Sequence, residues 1–174
     1  MQQYVDQYNG GKMPDFITVQ LGVNDVFGAS ELTLYSTIAS IEKNMDAFLA
    51  AFRKAAPDAV IGVGLVTLGA GQDAFAANYK NGQTFLQYKK NVFALNQRML
   101  RKFQNSPDKK VFLIPTVVNL DCRNNFPVRT EPVNLGNPAN VTRQCNGVHP
   151  APAGYNQMGD TYYAWLKYQL SLRK

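Results

Sequence analysis

Apolar runs of strand length alternate along the chain with longer segments whose apolar residues recur every three or four positions. The runs at residues 16–21, 59–66 and 111–118 are rich in β-branched residues, and the first has loop formers on both sides, which is typical of buried strands. The second run is apolar without alternation, which indicates burial on both faces, as in a parallel sheet. The sequence therefore predicts three strands of one parallel sheet.

Amphipathic helices are predicted between these strands and after the last of them. Residues 31–56, 85–103 and 152–172 each carry apolar side chains at helical spacing. The order strand, helix, strand, helix, strand predicts an α/β fold, a three-layer α/β/α sandwich, in a single domain spanning residues 1–174. Sheets of this kind carry their chemistry beyond the carboxyl ends of the strands, so the loops at that edge hold the candidate site.

A stretch rich in Asn, Pro and Gly, residues 119–150, separates the third strand from the last helix. It has no apolar periodicity, and the sequence predicts a long irregular loop. Loops of this length are often functional. The only histidine, His149, lies at its end, next to the last helix.

Composition and charge exclude several classes of function. The chain has 18 Lys and Arg against 12 Asp and Glu, and a net charge of +6 is too small for a polybasic surface, so we expect no nucleic-acid partner. No apolar run reaches about 18 residues, and no membrane span is predicted. Gly62 and Gly64 lie inside a predicted strand and do not match a dinucleotide fingerprint. The sequence predicts no cofactor and no metal site.

Two polar residues stand where a parallel sheet would place its active site. Asn24 follows the first strand directly, where a side-chain amide can donate a hydrogen bond to a developing oxyanion; it could equally bond its own turn. His149 precedes the last helix, where an imidazole can act as a general base near neutral pH; it could also be a simple helix-entry residue.

The segments around these residues, LGVND at 21–25 and NGVHP at 146–150, together resemble the third and fifth sequence blocks of the SGNH hydrolases, also called GDSL esterases and lipases. The resemblance implies a flavodoxin-like α/β/α sandwich and hydrolysis of an ester, from a small molecule or a carbohydrate, by a serine nucleophile. It implies that Asn24 is an oxyanion donor, that His149 is the general base and that Gly22 permits the tight turn before Asn24.

One departure from the family concerns the residue that orients the base. Asn146 occupies the position, three residues before His149, where the family usually has an aspartate. Its carbonyl can accept a hydrogen bond from the imidazole, but it brings no negative charge, and in serine proteases the corresponding change costs about 10⁴ in rate. The predicted catalytic residues are His149, Asn24 and Asn146.

A second departure concerns the nucleophile. The Gly-Asp-Ser-Leu block of the family has no counterpart, and no serine of the chain stands in such a context; the serines are Ser30, Ser36, Ser40, Ser106 and Ser171. We therefore expect an upstream segment or a partner chain to supply the nucleophile, and this chain alone to be inactive. The domain would then be incomplete at its N-terminus. Residues 16–21 would form an edge strand, and residues 2–9 would be the C-terminal part of a helix that packs on the missing segment. The alternative is a non-catalytic binding or structural protein on a degenerate SGNH scaffold.

Two cysteines, Cys122 and Cys145, flank much of the loop that leads to His149. A disulfide between them would restrict this loop and stabilise the fold by on the order of 3 kcal/mol. Two reduced, buried thiols are the other interpretation. A disulfide would indicate a secreted or periplasmic protein; without it the compartment is unknown.

Overall fold

The structure is a computed structural model that describes residues 1–75 and 82–173. In chain order the elements are α1 (Gln2–Tyr8), β1 (Phe16–Val19), α2 (Val23–Phe27), α3 (Leu34–Ala55), β2 (Val60–Gly64), α4 (Phe85–Gln104), β3 (Val111–Ile114), α5 (Thr116–Asn119), β4 (Val128–Asn134), β5 (Asn137–Gln144) and α6 (Pro152–Ser171). The three predicted strands and the three long helices are confirmed.

The main sheet has the order β1-β2-β3, and all its strands are parallel. Ile61 in the central strand pairs with Ile17 on one side and with Val111 on the other. The third strand is shorter than predicted because Pro115 follows it, and proline has no N–H to continue a ladder. The chain then turns into the short helix α5.

Helices cover both faces of the sheet, which confirms the three-layer sandwich. On one face, α3 and α4 bury the main apolar core with β2, whose fully or almost fully buried members include Ile61, Val63, Ile38, Val92 and Leu95. On the other face, Trp165 of α6 packs over Gly62 in β2. Because β2 has helices on both sides, its sequence is apolar throughout rather than alternating.

Part of the stretch predicted to be irregular forms a β-hairpin, so that prediction was wrong for residues 128–144. Strands β4 and β5 pair antiparallel, with Thr130 opposite Thr142 and an irregularity between Pro132 and Asn134. Most hairpin residues are exposed on both faces, and Leu135 at its tip is fully exposed. A strand that buries neither face shows no alternation of apolar and polar residues, which explains why the pattern did not predict it.

Strand β1 lies at one edge of the main sheet, as predicted. Among the described residues its only ladder partner is β2. The helix predicted near the start of the chain is present as α1. Val5 of α1 is buried within this chain, whereas Tyr4 and Tyr8 are exposed and lie with their ring centroids 4.7 Å apart.

Two further observations concern the cysteines and the search for membrane-spanning helices. Cys122 and Cys145 are free thiols, each partly buried, and burial raises the pKa of the Cys122 thiol. Within residues 1–75 and 82–173, no helix combines the length and the apolar character needed to cross a bilayer.

Candidate active site

Asn24 lies in the first turn of α2, directly beyond the carboxyl end of β1. The turn depends on Gly22, whose φ of 111° is in the left-handed region that side chains disfavour, and whose carbonyl accepts the first helical bond, from Val26 at 3.1 Å. The Asn24 side chain is exposed and forms no hydrogen bond with the described residues. The local turn therefore does not engage the Asn24 amide, which leaves it able to bind a ligand.

His149 lies at the end of the loop that enters α6, and its side chain is exposed. The loop is fixed by a backbone bond from Ala70 N–H to the carbonyl of Gly147 at 3.0 Å. Ala70 follows the central strand, so this bond attaches the histidine loop to the carboxyl edge of the sheet. The imidazole Nδ1 lies 3.3 Å from the hydroxyl of Tyr155, in the first turn of α6.

Asn146 organises the backbone of this loop. Its side-chain carbonyl accepts hydrogen bonds from the N–H groups of Val148, at 3.0 Å, and His149, at 2.9 Å. The imidazole contacts Tyr155 instead of the Asn146 side chain. This arrangement differs from the one implied by the family resemblance, in which the residue at position 146 would orient the ring.

A cluster of aromatic rings joins the segments that carry Asn24 and His149. Phe27, at the end of α2, stacks on Phe75 with ring centroids 5.9 Å apart, and Phe75 lies 5.1 Å from Tyr88 of α4. Gly147, two residues before His149, packs directly against the Phe75 ring. The structure thus brings the two predicted segments onto one aromatic cluster at the carboxyl edge of the sheet.

Gln144, the last residue of β5, connects two loops to the segment that leads to His149. Its backbone N–H and side-chain carbonyl exchange hydrogen bonds with Gln72 at 2.8 and 2.7 Å, and its amide donates to the carbonyls of Cys122 and Arg123, both at 2.8 Å. Only 4% of Gln144 is exposed. Because the buried Gln144 side chain satisfies these backbone groups, Gln144 helps to set the position of the chain that leads to His149.

Each of the five serine hydroxyls is hydrogen-bonded within its own segment. Ser36 and Ser40, both on α3, donate to the backbone carbonyls of Thr33 and Ser36, and together with Asp25 they line a shallow groove close to α2. Ser30 bonds the hydroxyl of Thr33, Ser106 donates to the carbonyl of Asp108, and Ser171 donates to the carbonyl of Tyr168. None of them forms a hydrogen bond with His149 in the described chain.

Two buried residues that support the site were not identified from the sequence. Asn91 of α4 donates to the carbonyls of Val26 and Ala29 at 2.9 and 2.7 Å, which holds the end of α2. Asn96 bonds both the N–H and the carbonyl of Val66, just after β2. Their signal is present in the sequence: both asparagines lie on the apolar face of an amphipathic helix, where a polar side chain needs a partner.

Comparison with known proteins identifies a family and a related fold. A family model described as GDSL-like Lipase/Acylhydrolase matches residues 1–161. The crystal structure of a possible lipase from Chitinophaga pinensis DSM 2588 is similar over 98% of this chain and 78% of that chain, with a TM-score of 0.52 and 15% identity. At that identity the likeness concerns the fold alone. No curated protein sequence matches this chain significantly.

Proposed function

Since the chain belongs to the family of GDSL-like lipases and acylhydrolases, we propose that it forms part of a serine ester hydrolase in which His149 is the general base and Asn24 donates to the oxyanion. The family is one of hydrolases that act on esters, and we extend this to small-molecule and carbohydrate esters as the substrates. The observation that carries the proposal is the aromatic contact, through Phe27 and Phe75, between the helix of Asn24 and the loop of His149.

Three groups carry out the catalytic steps: these two side chains and a serine. His149 Nε2 takes the proton of the serine hydroxyl as its oxygen attacks the ester carbonyl, and then gives that proton to the leaving alkoxide. The Asn24 amide donates to the oxyanion of the tetrahedral intermediate. Water then hydrolyses the acyl-enzyme by the same proton route, releasing the acid and regenerating the serine.

We further propose that the serine comes from a segment that pairs with the free edge of β1, either upstream in the same polypeptide or in a partner chain. A strand added parallel to β1 would end beside Gly22 and Asn24, because parallel strands end at the same edge of a sheet. Next to β1 lies an apolar groove of about 150 Å³, whose lining includes Leu21 and Phe48, which are 59% and 38% exposed. The added segment would cover this surface.

The first experiment measures hydrolysis of a short-chain nitrophenyl ester by this chain alone and by the chain joined to, or co-expressed with, the serine-bearing segment. We expect turnover that a fluorophosphonate blocks only in the completed protein. Fluorophosphonate-sensitive turnover by the chain alone would contradict the external nucleophile, and Ser36→Ala and Ser40→Ala would then identify the serine responsible. A completed protein that binds ester but never cleaves it would contradict the esterase and favour a non-catalytic scaffold.

The second experiment tests the two roles in the completed protein. We expect Asn24→Ala to lower kcat by about 10²–10³-fold, the usual effect of losing one oxyanion donor, and His149→Ala to abolish serine-dependent turnover. Both side chains are exposed, so the urea midpoint of each variant should match that of the wild type. Asn105→Ala, an exposed asparagine at the C-terminal end of α4, is the matched control and should retain full activity.

A further inference from the structure

We propose that Tyr155, rather than Asn146, is the positioning residue that orients the His149 imidazole; this inference rests on the proposed function. The two side chains meet because α6 begins at Pro152 and its first turn presents Tyr155 to the loop, with Tyr155 N–H bonded to the Ala151 carbonyl at 3.1 Å. The hydroxyl of Tyr155 then lies 3.3 Å from Nδ1 of His149.

Asn146 has a different task in this chain. Its side-chain carbonyl accepts from two consecutive backbone N–H groups, those of Val148 and His149, and so fixes the path of the loop. An amide carbonyl used in this way holds the Cα of His149 in place but does not select the orientation of the ring. Tyr155 supplies the side-chain contact to the ring itself.

The hydroxyl can serve the base because it accepts as well as donates. For His149 to act as a base, Nε2 must be free and the ring proton must reside on Nδ1, from which it is donated to the Tyr155 oxygen. When Nε2 takes the serine proton, the Nδ1–H bond to Tyr155 persists and strengthens because its donor is now charged. The proton leaves from Nε2 to the alkoxide, and Tyr155 keeps its own proton throughout.

The entry to α6 gives this contact a rigid base. Ala151 N–H donates to the Asn125 carbonyl at 2.9 Å, and the side chain of Gln157, one turn into the helix, accepts from Asp121 N–H at 2.8 Å. Asp121 in turn accepts bonds from Asn124 and from the backbone of Arg123, which holds the pKa of its carboxyl below its ordinary value. The first turn that carries Tyr155 is therefore fixed to the loop after α5.

The test uses the fact that His149 is the only histidine. Its two ring nitrogens can be observed without ambiguity by long-range proton–nitrogen NMR of uniformly labelled protein, and their shifts report which nitrogen carries the proton. We expect the wild type to be enriched in the Nδ1–H form and Tyr155→Phe to shift toward the ratio of free imidazole. Tyr163→Phe, an exposed tyrosine on the same helix, is the matched control and should leave both nitrogens unchanged.

Two results would overturn the inference: identical ring shifts in wild type and Tyr155→Phe, or a wild type in which the proton resides on Nε2. Kinetics of the completed enzyme provide a second readout, in which Tyr155→Phe should lower kcat by about tenfold with KM unchanged. An unchanged kcat would also contradict the proposal. Because the NMR measurement needs no turnover, an inactive completed protein would count against the esterase while leaving the role of Tyr155 decided by the ring shifts.

Discussion

Gly147 lies so close to the ring of Phe75 that a Cβ placed on the glycine would approach two ring carbons at 2.8 Å. The same ring stacks on Phe27 at the end of α2. A single phenylalanine thus sets the distance between the histidine loop and the helix that carries Asn24. Changes at this contact should affect the site more strongly than they affect the fold.

We expect Gly147→Ala to displace the His149 loop, because the new methyl group cannot fit against the Phe75 ring. In the completed enzyme, kcat/KM should fall on the order of 10²-fold, as expected for an ångström-scale misplacement of a catalytic group. The NMR chemical shifts of the two imidazole nitrogens of His149 should also change. Gly159→Ala, on α6 with open space around the added methyl, is the control and should change neither quantity; equal effects of the two variants would contradict the explanation.

Gly22→Ala should strain the turn before Asn24. The backbone there has a φ of 111°, and an added Cβ would lie 3.0 Å from Val66 Cγ2 and 3.2 Å from Leu95 Cδ2. We expect the free energy of unfolding, measured with urea, to fall by roughly 1–3 kcal/mol. Gly28→Ala, at the other end of α2, has a φ of −85° and open space, and should be neutral or slightly stabilising. A Gly22→Ala variant as stable as the wild type would show that the turn relaxes.

Replacing Gln144 by leucine should destabilise the fold through its backbone partners. The change removes the part-buried bonds of the Gln144 side chain to the N–H of Gln72 and to the carbonyls of Cys122 and Arg123, of which the Cys122 carbonyl keeps its bond from Gly71 N–H. The Gln72 N–H and the Arg123 carbonyl are left unsatisfied, and since each such group costs about 1–3 kcal/mol, we expect a loss of about 2 kcal/mol or more in urea unfolding. Gln104→Leu, at an exposed position, should stay within about 0.5 kcal/mol of the wild type. A loss at Gln144 no larger than this would mean that water replaces the missing bonds.

The raised pKa of Tyr162 predicts how the free energy of unfolding changes at alkaline pH. Its hydroxyl bonds the side chain of Gln20, and burial raises the pKa of Tyr162 from 10.0 to about 12. The unfolded chain therefore loses this proton first, so the contribution of the neutral phenol is complete below pH 10 and is lost as pH rises toward about 12.

We expect Tyr162→Phe to be less stable than the wild type by about 1 kcal/mol at neutral pH, for the lost hydrogen bond. This difference should shrink as the pH is raised above 10, because only the wild type carries the titrating group. Urea unfolding followed by circular dichroism at a series of pH values measures it. Tyr168→Phe, 60% exposed, should give a difference that does not vary with pH. A Tyr162→Phe difference that is constant with pH would contradict the prediction.

The sheet and its helices could be predicted from the sequence because each buries apolar residues with a clear period. Residues 59–66 are apolar throughout since helices cover β2 on both faces, and the faces of α3 and α4 repeat at helical spacing. The β4–β5 hairpin could not be predicted, since its strands bury almost nothing and leave no period in the sequence. The pattern of apolar residues thus depends on whether a strand is buried and not on the strand conformation itself.

The candidate site could be predicted only in part. Asn24 and His149 follow strand and loop ends, and the topology brings such ends to one edge of the sheet. The contact between Tyr155 and His149 could not be predicted, because Tyr155 recurs with the apolar residues of α6 at helical spacing, whereas the structure leaves it half exposed. Asn91 and Asn96 could have been noticed as polar residues on an apolar face, but their backbone partners depend on tertiary packing.

Two glycines in β2 fix how far α6 extends over the sheet. A Cβ on Gly62 would lie 2.9 Å from Trp165, and one on Gly64 would collide with Tyr162, so the two glycines leave room for these aromatic side chains of the helix, beside Ile114 and Gln20 respectively. Tyr155 precedes Tyr162 by seven residues, about 10 Å along the helix axis. A shift of α6 along its axis would disturb both of these contacts and, together with them, the distance between the Tyr155 hydroxyl and His149. The packing of α6 on the central strand thereby determines the contact between Tyr155 and His149, which lies two helical turns away.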